Sequence, residues 1–153
     1  MAYTSLAELK KKIDESTLIQ LVDDEKLKPA FIDDDENDHA DMVGRISDSI
    51  TAADALIDAY CGAKYEVPFA SAPQIVQEIS AMLTIYNLYT RRSIREIPQV
   101  RIDQYEQAID TLTKIGDGTI SLGITPPPTD ESGAATNVTT SPRVFTRTSM
   151  VGF

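Results

Sequence analysis

Ile46, Ile50, Ala53, Ile57 and Tyr60 recur at intervals of four and three, with mostly polar residues between them. That spacing puts all five side chains on one face of an α-helix. The chain must therefore contain a long amphipathic helix, roughly residues 40–62, and other elements to cover its apolar face. Gly62 is a suitable stop signal.

Further helical signals lie on either side. Ser5 and Glu8 form a capping-box pattern, in which a hydroxyl and a carboxylate each satisfy a free backbone N–H. Leu6, Leu9 and Ile13 follow at helical spacing, and Ser16–Val22 predicts a second short helix. Ser71 with Gln74 offers another capping box, with Pro73 near the first turn. Ile75, Ile79, Met82, Tyr86 and Tyr89 then mark one face of a helix over about 73–92. After Pro98, the residues Ile102, Tyr105, Ile109 and Leu112 mark another, about 99–115, closed by Gly116-Asp117-Gly118. Ile120, Leu122 and Ile124 alternate as an extended stretch would.

Composition changes at Gly123. Residues 126–142, rich in Pro, Thr, Ser, Gly and Ala, have the makeup of a flexible arm without a core of its own. The end of the chain turns apolar and basic, with Arg143, Val144, Phe145, Arg147, Met150, Val151 and Phe153. Apolar side chains at a chain end favour association, so these seven are the candidate partner-binding residues. The Thr, Val and Phe of 139–148 suit addition to a sheet edge, and the two arginines suit carboxylates on an acidic partner or a neighbouring copy. A frayed terminus is the plainer alternative. The expected organisation is all-α: a small helical bundle over residues 1–122, then an extended polar arm with an apolar C-terminal hook over 123–153.

The formal net charge is −10, and basic residues cluster only at Lys10-Lys11-Lys12 and Arg91-Arg92. Nucleic-acid binders need basic side chains to displace phosphate counterions, so sequence-specific DNA binding is not expected. An acidic surface can still serve DNA by repelling it along a channel, or simply maintain solubility. Nothing reads as a membrane span or a secretory signal. Cys61 is the single cysteine, which rules out an intrachain disulfide and suits a reducing cytoplasm.

Catalytic and metal chemistry finds little footing. Asp33, Asp35 and Asn37 sit at the first, third and fifth places of a calcium-loop spacing, in a run of six acids between Asp33 and Asp41. The sixth place holds Asp38 instead of Gly, and the twelfth holds Gly44 instead of Glu, so a solvated acidic turn is the reading. His39, the single histidine, would have to be the base of any Ser–His or Cys–His pair. It lies in that acidic turn, a poor place for preorganised geometry. Cys61 reads as a small, partly buried side chain instead of a reactive thiol. The tyrosines at 60, 65, 86, 89 and 105 read as core residues with hydroxyls at the rim, not as a base-stacking platform. No enzyme activity, cofactor or metal is expected.

The short N-terminal helical pair, the Asp-rich turn, Ile57-Asp58-Ala59-Tyr60, Tyr65-Glu66-Val67-Pro68-Phe69 and Pro73 together resemble the Mu-type phage head–tail connector (adaptor) proteins. The tyrosine-rich helix through Arg91-Arg92, the Gly116–Gly123 stretch and the closing 144–153 segment resemble them too. The most specific parts are the Asp58-x-Tyr60…Tyr65-x-x-Pro68 block and the C-terminus. Many members have Leu after that first Tyr and Arg before the second, where this chain has Cys61 and Lys64. The resemblance implies a non-catalytic bundle that forms a homo-oligomeric ring, commonly of twelve, beneath the portal protein in the virion neck, after assembly in the host cytoplasm. Genomic DNA passes through the ring, a stopper or tail-terminator protein receives its lower face, and by analogy the C-terminal hook docks on the portal or a neighbouring copy. The competing class is an acidic, antitoxin-like interaction module whose arm folds on a partner.

Overall fold

The computed structural model of the chain describes residues 2–27, 29, 31–32, 39–92 and 96–124. The acids 33–38 and everything from residue 125 onward lie outside them. The described residues form five α-helices and no strand, which is the expected all-α bundle: α1 (Leu6–Lys12), α2 (Glu15–Val22), α3 (Ala40–Cys61), α4 (Gln74–Thr90) and α5 (Gln99–Gly116). The stretch carrying Ile120, Leu122 and Ile124 lies outside the helices, and Ile120 and Leu122 pack their side chains against the bundle.

Local chemistry explains most helix ends. Ser5 caps α1, its Oγ accepting from the Glu8 N–H at 3.4 Å. Only that half of the expected box is seen, because the Glu8 carboxylate accepts from the Thr4 hydroxyl at 3.2 Å. Lys10, Lys11 and Lys12 occupy the last turn of α1, where positive charge suits the exposed carbonyls. The Ser71–Gln74 box is not used. Pro73 is the N-cap of α4, and its carbonyl takes the first helical bonds from Val76 and Gln77 at 2.9 and 3.1 Å. Gly62 ends α3 with right-handed dihedrals (φ −62°, ψ −16°), not as the left-handed cap its type suggests. A side chain there would meet the Asp58 carbonyl of α3 itself at 2.9 Å and Val67 of the following loop at 3.3 Å, so the space at the helix end suits a glycine. Gly118, with φ +80°, makes the left-handed turn after α5.

α3 and α4 form the spine. The Asn87 side chain donates to the Ser49 carbonyl, Ser80 meets Asp54, and Arg45 and Arg91 share Asp24. Numbers rise on α4 as they fall on α3, so the two helices run antiparallel. Two apolar cores lie along this pair. One joins Leu6, Leu9, Leu18 and Val22 of α1 and α2 to Ile46 on α3 and Ile85 and Leu88 on α4. The other joins Ile57 and Cys61 of α3 and Val76, Ile79 and Leu83 of α4 to Tyr65, Phe69, and Leu112 and Ile115 of α5. Between them lie the buried polar residues Ser49, Asp54, Ser80 and Thr84. Full burial of one such Leu or Ile side chain stabilises by about 1.5–3 kcal/mol.

The expected face of α3 is buried at Ile46, Ile50, Ala53 and Ile57, with Tyr60 half-buried. That of α4 is displaced. Ile79 and Tyr89 are buried as expected, but Ile75 is exposed and Met82 and Tyr86 are half-buried, whereas Val76, Leu83, Ile85 and Leu88 are buried. α4 touches all four other helices, so it has no single dry face. Ile57→Asp places an unpaired charge at a fully buried site. It is expected to cost on the order of several kcal/mol and abolish cooperative melting by circular dichroism; an unchanged melt would mean the α3 face is misassigned.

Candidate interaction surface

Tyr3, which precedes α1, stands at the centre of one polar network. Its hydroxyl donates to Asp58 Oδ1 in a short hydrogen bond and accepts from the Phe69 N–H at 3.0 Å. Its own N–H donates to Asp54 Oδ2 at 2.9 Å, and Ser80 Oγ donates to Asp54 Oδ1 at 2.6 Å. Burial, reinforced by the hydrogen bond to Asp58, pushes the phenol well above the ordinary tyrosine range, so it remains a donor. Burial also raises the Asp54 carboxyl, while its Ser80 and Tyr3 donors oppose that rise. One residue thus ties the N-terminus to α3 and to the loop before α4. The sequence reading passed over Tyr3. The one available signal was Asp54, an acid set four residues after Ile50 on an otherwise apolar face.

Arg91 and Arg92, read above as a basic pair, are engaged within the fold. Arg91 makes a two-pronged contact with Asp24 at 2.8 and 2.6 Å, and Arg45 and Arg92 reach the same carboxylate. The three guanidiniums also donate to the carbonyls of Leu21, Val22 and Asp23, where α2 ends. Orphan carbonyls and the negative end of a helix favour this arrangement. The Arg91 hydrogen bonds hold the Asp24 carboxyl down at about 2.

Cys61 and His39 cannot work as a pair. They flank opposite ends of the 22-residue α3, about 30 Å apart. Burial pushes the Cys61 thiol up to about 11, away from thiolate chemistry. His39 occupies the N-cap position of α3 without a side-chain capping bond. Gly44, the twelfth place of the calcium-loop spacing, is inside α3. Among the described residues no His, Cys, Asp and Glu cluster could hold a metal, and no helix is long and apolar enough to cross a membrane. Tyr65 and Tyr89 are buried, and Tyr86 stacks on Tyr105 with ring centroids 4.0 Å apart, joining α4 to α5.

A groove of about 470 Å³ runs along the loop 65–71, with Ile124 on its wall. Buried Tyr65 and Phe69 form its base, their rings 6.3 Å apart, and Tyr3 lies against Phe69 at 5.7 Å. The Tyr65 hydroxyl accepts from the Leu122 N–H at 3.2 Å, which brings the end of the bundle to the groove. Glu66, Pro68 and Ala70 are exposed along it. The candidate partner-binding residues Arg143, Val144, Phe145, Arg147, Met150, Val151 and Phe153 lie outside the described residues.

Fold and surface together define a small acidic helical bundle whose most elaborate polar chemistry serves to hold its own loops. The family model described as "Bacteriophage Mu, Gp36" matches residues 3–140, and the chain belongs to that phage protein family. It is also 28% identical over 80 residues to the Mu-like prophage FluMu protein gp36 of Haemophilus influenzae, a stretch covering 52% of this chain and 54% of that protein. The chain thus spans about half the length of the curated relative it matches.

Two outcomes test the polar contacts. Tyr3→Phe leaves the Phe69 N–H without its acceptor and is expected to cost about 1–3 kcal/mol in urea unfolding; no loss would mean that this hydroxyl does not hold the loop. Asp24→Asn is expected to cost about 1 kcal/mol at pH 7. Because the folded carboxyl sits below its ordinary value, its contribution is complete above 3.8 and fades as pH falls toward about 2. The stability gap between wild type and variant should therefore close over that window; a gap that persists at the acid end would contradict charge pairing.

Proposed function

We propose that this chain is a structural head–tail connector subunit of a tailed phage, acting without catalysis. Copies form a ring, of twelve in the simplest reading, below the portal protein in the virion neck. DNA passes through the ring without base-specific contact, and a stopper or tail-terminator protein meets the lower face. The C-terminal hook docks on the portal or on a neighbouring copy. The observation that carries this reading is membership of the Mu Gp36 family over residues 3–140. Charge supports it. Beyond residue 124 two acids and two arginines cancel, so the whole formal charge of −10 lies on residues 1–124. A bundle so charged repels a DNA backbone and lets it slide.

Negative-stain imaging of the full-length protein, with and without its phage's portal protein, tests the reading. Rings alone or on the portal are expected; a heterodimer with a basic partner and no ring would favour the antitoxin-like class. Deleting residues 143–153 should leave the thermal melt of the bundle unchanged and reduce incorporation into particles at least tenfold. Normal incorporation of the truncated chain would remove the hook from the docking scheme.

A further inference from the structure

We propose that the groove along loop 65–71 is the seat for the C-terminal hook, residues 143–153, of a second copy of this chain. This deepens the connector reading, on which it rests for the closed assembly, by naming the surface that receives the arm.

The two surfaces match in chemistry. The groove is lined mainly by apolar side chains on a base of Tyr65 and Phe69, with Glu66 as its single acid. Its volume, about 470 Å³, falls within the roughly 300–1,000 Å³ typical of ligand pockets. The loop is tied down beforehand by Tyr3 at Phe69 and by the Tyr65–Leu122 hydrogen bond, so little ordering remains to oppose docking. The hook offers Val144, Phe145, Met150, Val151 and Phe153, and no acid follows Glu131. Its two arginines, Arg143 and Arg147, face a bundle carrying the full charge of −10. Phe145 lies between these arginines, so an aromatic ring in the groove brings a guanidinium toward Glu66.

Reach and direction favour a second copy. Val144 lies twenty residue steps beyond Ile124, a span of at most about 70 Å. A domain of this length has a radius of gyration of about 14 Å, so the arm reaches a neighbour's groove. The residue where the arm departs, Ile124, is itself a wall of the groove, and Pro126, Pro127 and Pro128 follow. Three fixed φ angles resist an immediate return to the wall just left. A tail passed from each copy to the next is a head-to-tail contact, the type that closes rings when the rotation permits.

The test uses two full-length single substitutions, Ala70→Cys in the groove and Ser149→Cys in the hook, mixed and mildly oxidised. Cys61 stays in place because it is fully buried. A covalent dimer on non-reducing gels, at least fivefold more abundant in the mixture than in either variant alone, is the expected result. Phe145→Asp in the hook partner or Glu66→Lys in the groove partner should each cut that yield at least threefold, and Arg143→Glu should restore it opposite Glu66→Lys. The double variant Ala70→Cys/Ser149→Cys should give ladders of linked copies. No excess of mixed dimer, or a double variant that closes on itself as a monomer, overturns the proposal. Rings imaged without the mixed crosslink would sink the groove and spare the connector reading; mixed dimers that never form rings would do the reverse.

Discussion

Everything in the bundle is referred to one buried contact, the hydrogen bond from Ser80 to Asp54 where α3 meets α4. A carboxylate taken out of water must find donors, and Asp54 has two, Ser80 Oγ and the Tyr3 N–H. Sliding the helices by one turn would strand that acid between two apolar cores. The contact therefore sets the register of the spine, and the register sets which side chains reach each core. Ile46 shares one core with Ile85 and Leu88, and Ile57 shares the other with Val76 and Leu83.

From that crossing the two ends of the bundle are secured by different chemistry. At the end where α2 stops, three arginines gather on Asp24 and on the last carbonyls of the helix. At the other end, the single hydroxyl of Tyr3 acts as donor and acceptor at once, joining Asp58 to the loop at Phe69. That loop is the base of the groove, so a residue close to the start of the chain holds a surface at the far end of the bundle in place. The family block Asp58-x-Tyr60…Tyr65-x-x-Pro68 gains a physical account here. Asp58 accepts from the Tyr3 hydroxyl, Tyr65 packs under the loop and accepts from Leu122, and Pro68 stands at the rim.

Much of the fold was legible because helices announce themselves over short distances. The four-three spacing of Ile46 to Ile57 named the buried face of α3, and Ser5 named a cap. On α4 the same logic held only at Ile79 and Tyr89. Period analysis assumes one dry face, and a helix with neighbours on several sides has none; Val76 and Leu83 are buried while Ile75 is exposed. It also misplaced the α4 cap at Ser71, because Pro73 supplies the first acceptor from its backbone. Tyr3 could not be found, since its partners lie 51 to 66 residues away.

By itself the sequence determined the helical class, the number and rough bounds of the helices, the acidic bundle with its change of composition at Gly123, and the resemblance to the Mu-type connectors. Local spacing, charge and turn chemistry carry all of that, and none of it needs a distant contact. Only the tertiary structure decided that Arg91 and Arg92 cap α2, that Cys61 and His39 stand apart, and that Tyr3 ties down the 65–71 loop. Those outcomes depend on which residues meet across the α3–α4 pair, and burial becomes specific only once the helices are in register.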